Sequence, residues 1–176
     1  MNLSEQIKKV LIDVPDFPKP GILFKDITPL FKDCHLSKAL IAEAAELIKS
    51  TNAEVIVGLE SRGFPMGFAL ALALDLPFVM IRKKGKLPRP THQVHYALEY
   101  GEAAMELQIG DIAPHQKVYI HDDLLATGGT AEAAAELIQQ AQAELVGFGF
   151  LMDLQGLNGK EKLMSFSVPI HTFVTL

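Results

Sequence analysis

Residues 121–130 read HDDLLATGGT. The apolar run before them, "KVYI" at 117–120, ends in two acids, and "TAEAAAELIQQAQA" at 130–143 follows. That second stretch is rich in alanine and has high helix propensity. The order is therefore strand, tight turn, helix. Gly128 and Gly129 let the backbone turn sharply and approach a ligand with no Cβ in the way. Successive amide N–H groups at a helix start form an anion cradle, assisted by the positive end of the helix dipole. Ala126 opens this turn, and Thr127 and Thr130 add hydroxyl donors. No lysine follows and no GxGxxG is present, so this is not a nucleotide P-loop, and one phosphate suits it better than three. Ionised Asp122 and Asp123 can only accept hydrogen bonds, which suits sugar hydroxyls. They can do so directly or through a hard cation such as Mg²⁺. Phosphate on the turn and hydroxyls on the acids together describe a ribose phosphate.

Outward from this unit, strands and helices alternate. The spacing predicts a helix over residues 4–12 with Ser4 as its cap, and a second helix capped by Ser37. "DVPDFPKPG" (13–21) reads as an extended loop, and "ILFKDITPLF" (22–31) as a short strand followed by irregular chain. "EVIVGLE" (54–60), "PFVMIRK" (77–83), "ELVGFGFLMDL" (144–154) and "VPIHTFVTL" (168–176) read as strands, with a short helix around residues 160–164. "YALEYGEAAMELQ" (96–108) alternates on either side of Gly101 like a β-hairpin. The fold class is therefore α/β, a mostly parallel central sheet with helices on both faces. Ligands in such sheets lie outside the carboxyl ends of the strands. That places residues 61–64, 83–93 and 126–130 at one rim.

The chain has 176 residues, which suits a single domain, 1–176. "GFPMGFALALALDLPFVMI" (63–81) is broken by Asp75 and Pro77. It falls short of the ~20 uninterrupted apolar residues of a membrane helix, so a buried helix and then a buried strand are expected. The first ten residues lack the apolar run of a signal peptide. The single cysteine, Cys34, fits a reducing compartment, so a cytoplasmic setting is expected. A net charge of −5 predicts neither nucleic-acid nor membrane binding. Yet "RKKGKLPR" (82–89) places five cations within eight positions, Arg82, Lys83, Lys84, Lys86 and Arg89, which suggests one specific anion.

The stretch "VYIHDDLLATGGT" (118–130) resembles the phosphoribosyl-diphosphate signature of the type I phosphoribosyltransferases, and its double leucine points to their adenine-using branch. "DFPKPGILFKDITPL", "GLESRGF", "IRKKGKLPRPT", "YALEYG" and "GLNGKEKL" extend the resemblance along nearly the whole chain. It implies the type I fold, with an N-terminal hood over residues 1–35 and a flexible β-hairpin lid over residues 83–101. It implies transfer of 5-phosphoribosyl from phosphoribosyl diphosphate to N9 of adenine, giving AMP and pyrophosphate. Mg²⁺ would be positioned by Asp122 and Asp123, mainly through substrate and water, and the protein would be a homodimer.

By the same resemblance, Asp122 and Asp123 hold the ribose hydroxyls, while Ala126, Thr127, Gly128, Gly129 and Thr130 bind the 5′-phosphate. Arg62, Arg82, Lys83 and Lys86 face pyrophosphate, Arg82 and Lys86 from a neighbouring subunit, and the Glu60–Ser61 peptide is cis. Phe24 and Leu124 sandwich the purine, with Leu23 and Lys25 beside it. Glu99 sits near N7, so that Glu99, Arg62 and Lys83 form the catalytic set. His121 stands where the family has an aliphatic residue and is expected to be a satisfied buried histidine. His92 and His95 are expected to tune lid closure. Two further readings remain: a phosphoribosyltransferase for an oxo-purine or orotate, and a regulator that senses phosphoribosyl diphosphate.

Overall fold

The computed structural model describes residues 1–98 and 101–176, with side chains described for all of these except 97, 98, 101 and 102. A seven-stranded sheet runs through the molecule. Its strands are β3 (Val55–Leu59), β4 (Phe78–Lys83), β5 (Thr91–Leu98), β6 (Gly101–Gln108), β7 (Lys117–Leu125), β8 (Glu144–Asp153) and β9 (Ile170–Thr175). The spatial order is β5-β6-β4-β3-β7-β8-β9. From β4 to β9 neighbouring strands are parallel, and the β5–β6 hairpin adds antiparallel to the β4 edge. Every residue of β3 is buried, as a central strand covered on both faces requires.

Helix α5 (Gly129–Gln140) covers one face, where Ala134, Ala135, Leu137 and Ile138 meet Val57, Ile120 and Phe148. On the other face lie α1 (Leu3–Val10), α3 (Cys34–Lys49) and α4 (Gly63–Leu74). There Ala44, Ile48, Leu70 and Ala71 pack with Ile56 and Tyr119, and Ile7, Leu40 and Met66 pack with Leu151 and Val174. The apolar stretch 63–81 is thus a twelve-residue helix and a strand. Among the described residues no helix is long and apolar enough to cross a membrane.

Several local expectations are corrected. The first helix begins at Leu3, because Asn2 and Glu5 close a capping box ahead of Ser4. Asp33, not Ser37, caps α3: its carboxylate accepts from Leu36 N at 2.9 Å, while Ser37 Oγ donates to the Leu30 carbonyl. Residues 13–21 are not loop throughout. β1 (Ile12–Pro15) pairs antiparallel with β2 (Leu23–Asp26), and α2 (Thr28–Lys32) replaces the irregular chain expected after it. The hairpin is longer than the alternation showed, with both strands eight residues long.

Two large rings are seated against glycines. A Cβ on Gly58 would stand 2.6 Å from the Phe78 ring, and one on Gly67 would stand 2.9 Å from it. Tyr119 lies against Gly147 and Gly149 in the same manner, with a Gly149 Cβ falling 2.6 Å from the phenol oxygen. That oxygen donates to the Phe148 carbonyl at 2.9 Å.

Candidate active site

The carboxyl ends of β3, β4 and β7 are neighbours in the sheet, so the three segments that follow them converge on one rim. After β7 the chain turns at Gly128 (φ +81) into α5, and among the described residues no side chain caps that helix. Its first N–H groups are therefore left for another acceptor. A small cavity of 70 Å³ opens there, lined by Asp122, Leu124, Ala126, Thr127, Gly129 and Thr130 among others. The turn is backed by Gly159 at the start of α6 (Gly159–Leu163). A Cβ there would collide with the Ala126 carbonyl oxygen, so only glycine lets α6 come this close. "GLNGKEKL" reads as part of the resemblance, but this buttress leaves no local signal. On the arm, Tyr96 lies within 3.6 Å of the Gly129 Cβ position, bringing β5 over the same turn.

Asp122 is half-buried and Asp123 buried. Burial raises both carboxyls above the ordinary carboxylate range, and the neighbouring charge raises Asp122 further. Arg62 partly opposes this at Asp123: its Nε lies 3.0 Å from Asp123 Oδ2, an ion pair by distance. That oxygen still lacks an aligned hydrogen bond. Asp122 Oδ1 accepts from Asp123 N at 2.8 Å. Helix α4 starts so close that a Cβ on Gly63 would stand 2.9 Å from that same oxygen.

The five cations of residues 82–89 divide by partner. Arg82 reaches Glu60 with Nε (3.2 Å) and Nη2 (3.3 Å) within its own chain. Arg89 pairs with Asp111 and bonds Gln108. Lys83, Lys84 and Lys86 carry no ion pair among the described residues. Burial opposes ionisation of Glu60, but the Lys83 amide and the Arg82 guanidinium outweigh it and hold its carboxyl below the ordinary value. The Glu60–Ser61 peptide is cis.

Phe24 comes from β2 to the rim, where the Arg62 guanidinium lies 4.8 Å over its ring and Phe17 meets it edge-on at 5.0 Å. Leu23 is exposed, and the Lys25 ammonium turns to Asp13. Leu124 faces the cavity over the glycine turn. Glu99 lies outside the described residues. His121 is buried as expected but not satisfied: its Nε2 has no partner, and burial lowers its pKa to about 4. Glu60 and Glu106, which hold the basic turn, carry no role in the sequence reading.

Comparison with known proteins agrees with this geometry. The family described as the phosphoribosyl transferase domain matches residues 31–168. An adenine phosphoribosyltransferase of Cytophaga hutchinsonii is 44% identical over 172 residues, spanning 98% of this chain and 95% of its own. The crystal structure of adenine phosphoribosyltransferase from Rhodothermus marinus superposes with a TM-score of 0.94 at 46% identity, covering 99% of this chain and 98% of that one. The Saccharomyces cerevisiae enzyme, solved with an imino-altritol bisphosphate and adenine, gives 0.90 at 41% identity, over 97% and 98%. The chain belongs to the phosphoribosyltransferase family, on its adenine phosphoribosyltransferase branch.

Proposed function

We propose that this chain transfers 5-phosphoribosyl from phosphoribosyl diphosphate to N9 of adenine, releasing pyrophosphate and forming AMP. One juxtaposition carries this reading: the uncapped glycine turn of α5, the Asp122–Asp123 pair and the basic turn after β4 share one rim. The amides of residues 126–130 take the 5′-phosphate, with Thr127 and Thr130 adding hydroxyls. Asp122 and Asp123 accept from the ribose hydroxyls. Lys83 and Lys86, with Arg62 and Arg82, stabilise the charge that grows on departing pyrophosphate. Phe24 and Leu124 wall the purine, with Leu23 and Lys25 at its border and Glu99 near N7.

Mg²⁺ suits this donor set, since it is usually held by one or two carboxylates plus substrate phosphates. Bound there, it would neutralise pyrophosphate charge. The half-buried Asp122 and buried Asp123 are the hard oxygen ligands at hand.

The arm of residues 83–101 serves as a lid that keeps water from the electron-poor ribose, and residues 1–35 form the hood that brings Phe24 to the base. A homodimer belongs to the same reading. It is supported by exposed Phe68 and Leu72, one turn apart on α4, and by exposed Met80 on β4. A cytoplasmic setting is supported by free Cys34. The test is direct: incubate the protein with Mg²⁺, phosphoribosyl diphosphate and each nucleobase in turn. AMP from adenine is expected, and its absence overturns the assignment.

A further inference from the structure

The basic turn that follows β4 has a defined shape. Lys86 N donates to the Lys83 carbonyl at 3.3 Å, and Gly85 sits at φ +80. Positive φ at the third residue is the signature of a type II turn. Its backbone is held from two sides by carboxylates. Glu60 Oε2 accepts from Lys83 N at 2.8 Å, and Glu106 Oε2 accepts from Gly85 N at 2.9 Å. Arg82 Nη1 adds a bond to the Lys86 carbonyl at 3.2 Å.

Glu106 is the unexpected member. It lies on β6, directly across from Arg82 on one side and Gln93 on the other. It is only 4% exposed, and its second oxygen accepts from Gln93 Nε2 at 2.8 Å. A carboxylate on an edge hairpin is ordinarily solvated. Here both oxygens are occupied, one by the turn and one by the outer strand of the arm.

We propose that Glu106 is a positioning residue for pyrophosphate, fixing the type II turn that presents Lys83, Lys84 and Lys86, none of them ion-paired among the described residues. Its carboxylate bonds an amide and a carboxamide and forms no ion pair with the lysines, so their ammonium groups stay free to turn to another anion. A cation cradle fixed in advance need not reorganise as charge develops on the leaving group. The inference rests on the reading of the basic turn as the pyrophosphate site.

The test separates the acceptor from the charge. Glu106→Leu removes both acceptor oxygens. Glu106→Gln keeps one: its carboxamide oxygen accepts from Gly85 N, and its NH₂ donates to Gln93 once that carboxamide turns over. Magnesium pyrophosphate binding is measured by calorimetry, and exchange protection of the Gly85 amide by NMR. Glu106→Leu should bind pyrophosphate about tenfold more weakly, with Gly85 protection lost and adenine KM unchanged. Glu106→Gln should keep both. Wild-type pyrophosphate affinity in Glu106→Leu overturns the proposal, as does a Glu106→Gln variant that keeps Gly85 protection without keeping affinity. AMP formation by the unaltered protein is scored separately. Its absence removes the reaction assigned above, while the pyrophosphate series still decides the part played by Glu106.

Discussion

Arg62 spans two halves of the site: its Nε stands 3.0 Å from Asp123 Oδ2 while its guanidinium carbon lies 4.8 Å over the Phe24 ring. One cation thus occupies both the acidic pair and the aromatic face, the places proposed for ribose and purine. The side chain is 38% exposed, so its pairing is screened and can be surrendered.

Asp122→Asn with Asp123→Asn should therefore separate stability from activity. Burial holds both carboxyls above their ordinary values. For acids raised in this way, the folded state is favoured below the unfolded pKa, and the advantage is lost as pH rises through the folded pKa. At neutral pH the pair opposes folding, so the double variant should melt at a higher temperature. Turnover should fall on the order of 10² or more, because a misplaced ribose alone can account for that. A folded double variant with ordinary AMP formation would remove these acids from the mechanism.

His121 predicts a pH-dependent weakness. Its folded pKa of about 4 lies below the ordinary histidine value of 6.5. The stability associated with the neutral ring is present above about 6.5 and is lost as pH falls towards about 4, with a limiting slope of about 1.4 kcal/mol per unit. His121→Leu removes the unpartnered Nε2 and should flatten the melting temperature between those limits. Parallel melting profiles for the two proteins would place the titration elsewhere.

At Gly159, a single methyl group should be felt across the rim. With the Ala126 carbonyl oxygen in the path of the added carbon, Gly159→Ala must displace either the turn or α6. A stability loss of about 1–3 kcal/mol is expected from the overpacking. KM for phosphoribosyl diphosphate should rise about tenfold, a misplacement effect, and KM for adenine should stay put. Equal changes in both constants would mean that the turn does not move independently.

Base choice tests the purine wall. Adenine carries an amino donor where hypoxanthine carries a carbonyl. A backbone carbonyl near Leu23, beside Phe24, would meet the second as acceptor against acceptor. Adenine should win by roughly 10⁴ in kcat/KM, as in other sites that bond a substrate polar group. Comparable formation of AMP and IMP would sink that pocket.

Residues 117–140 were legible because local pattern and tertiary role coincide there: a buried run, acids at its end, glycines at the turn and alanines on the helix face. The caps were not. Asn2 and Ser4 are both capping types, as are Asp33 and Ser37, and docking of the helix decides which residue begins it. Glu60 and Glu106 were invisible for another reason. Their bonds to Lys83 and Gly85 cross 23 and 21 residues, beyond any local periodicity. Gly159 belongs with them, since a need for closeness is set by what stands opposite.

The rings seated on glycines have an evolutionary consequence. Tyr119 cannot coexist with a side chain at Gly147 or Gly149, and Phe78 cannot coexist with one at Gly58 or Gly67. Each aromatic and its pair of bare positions must be inherited together. Across relatives, a lineage that shrinks the ring frees both partners to drift, whereas one that keeps it holds them still.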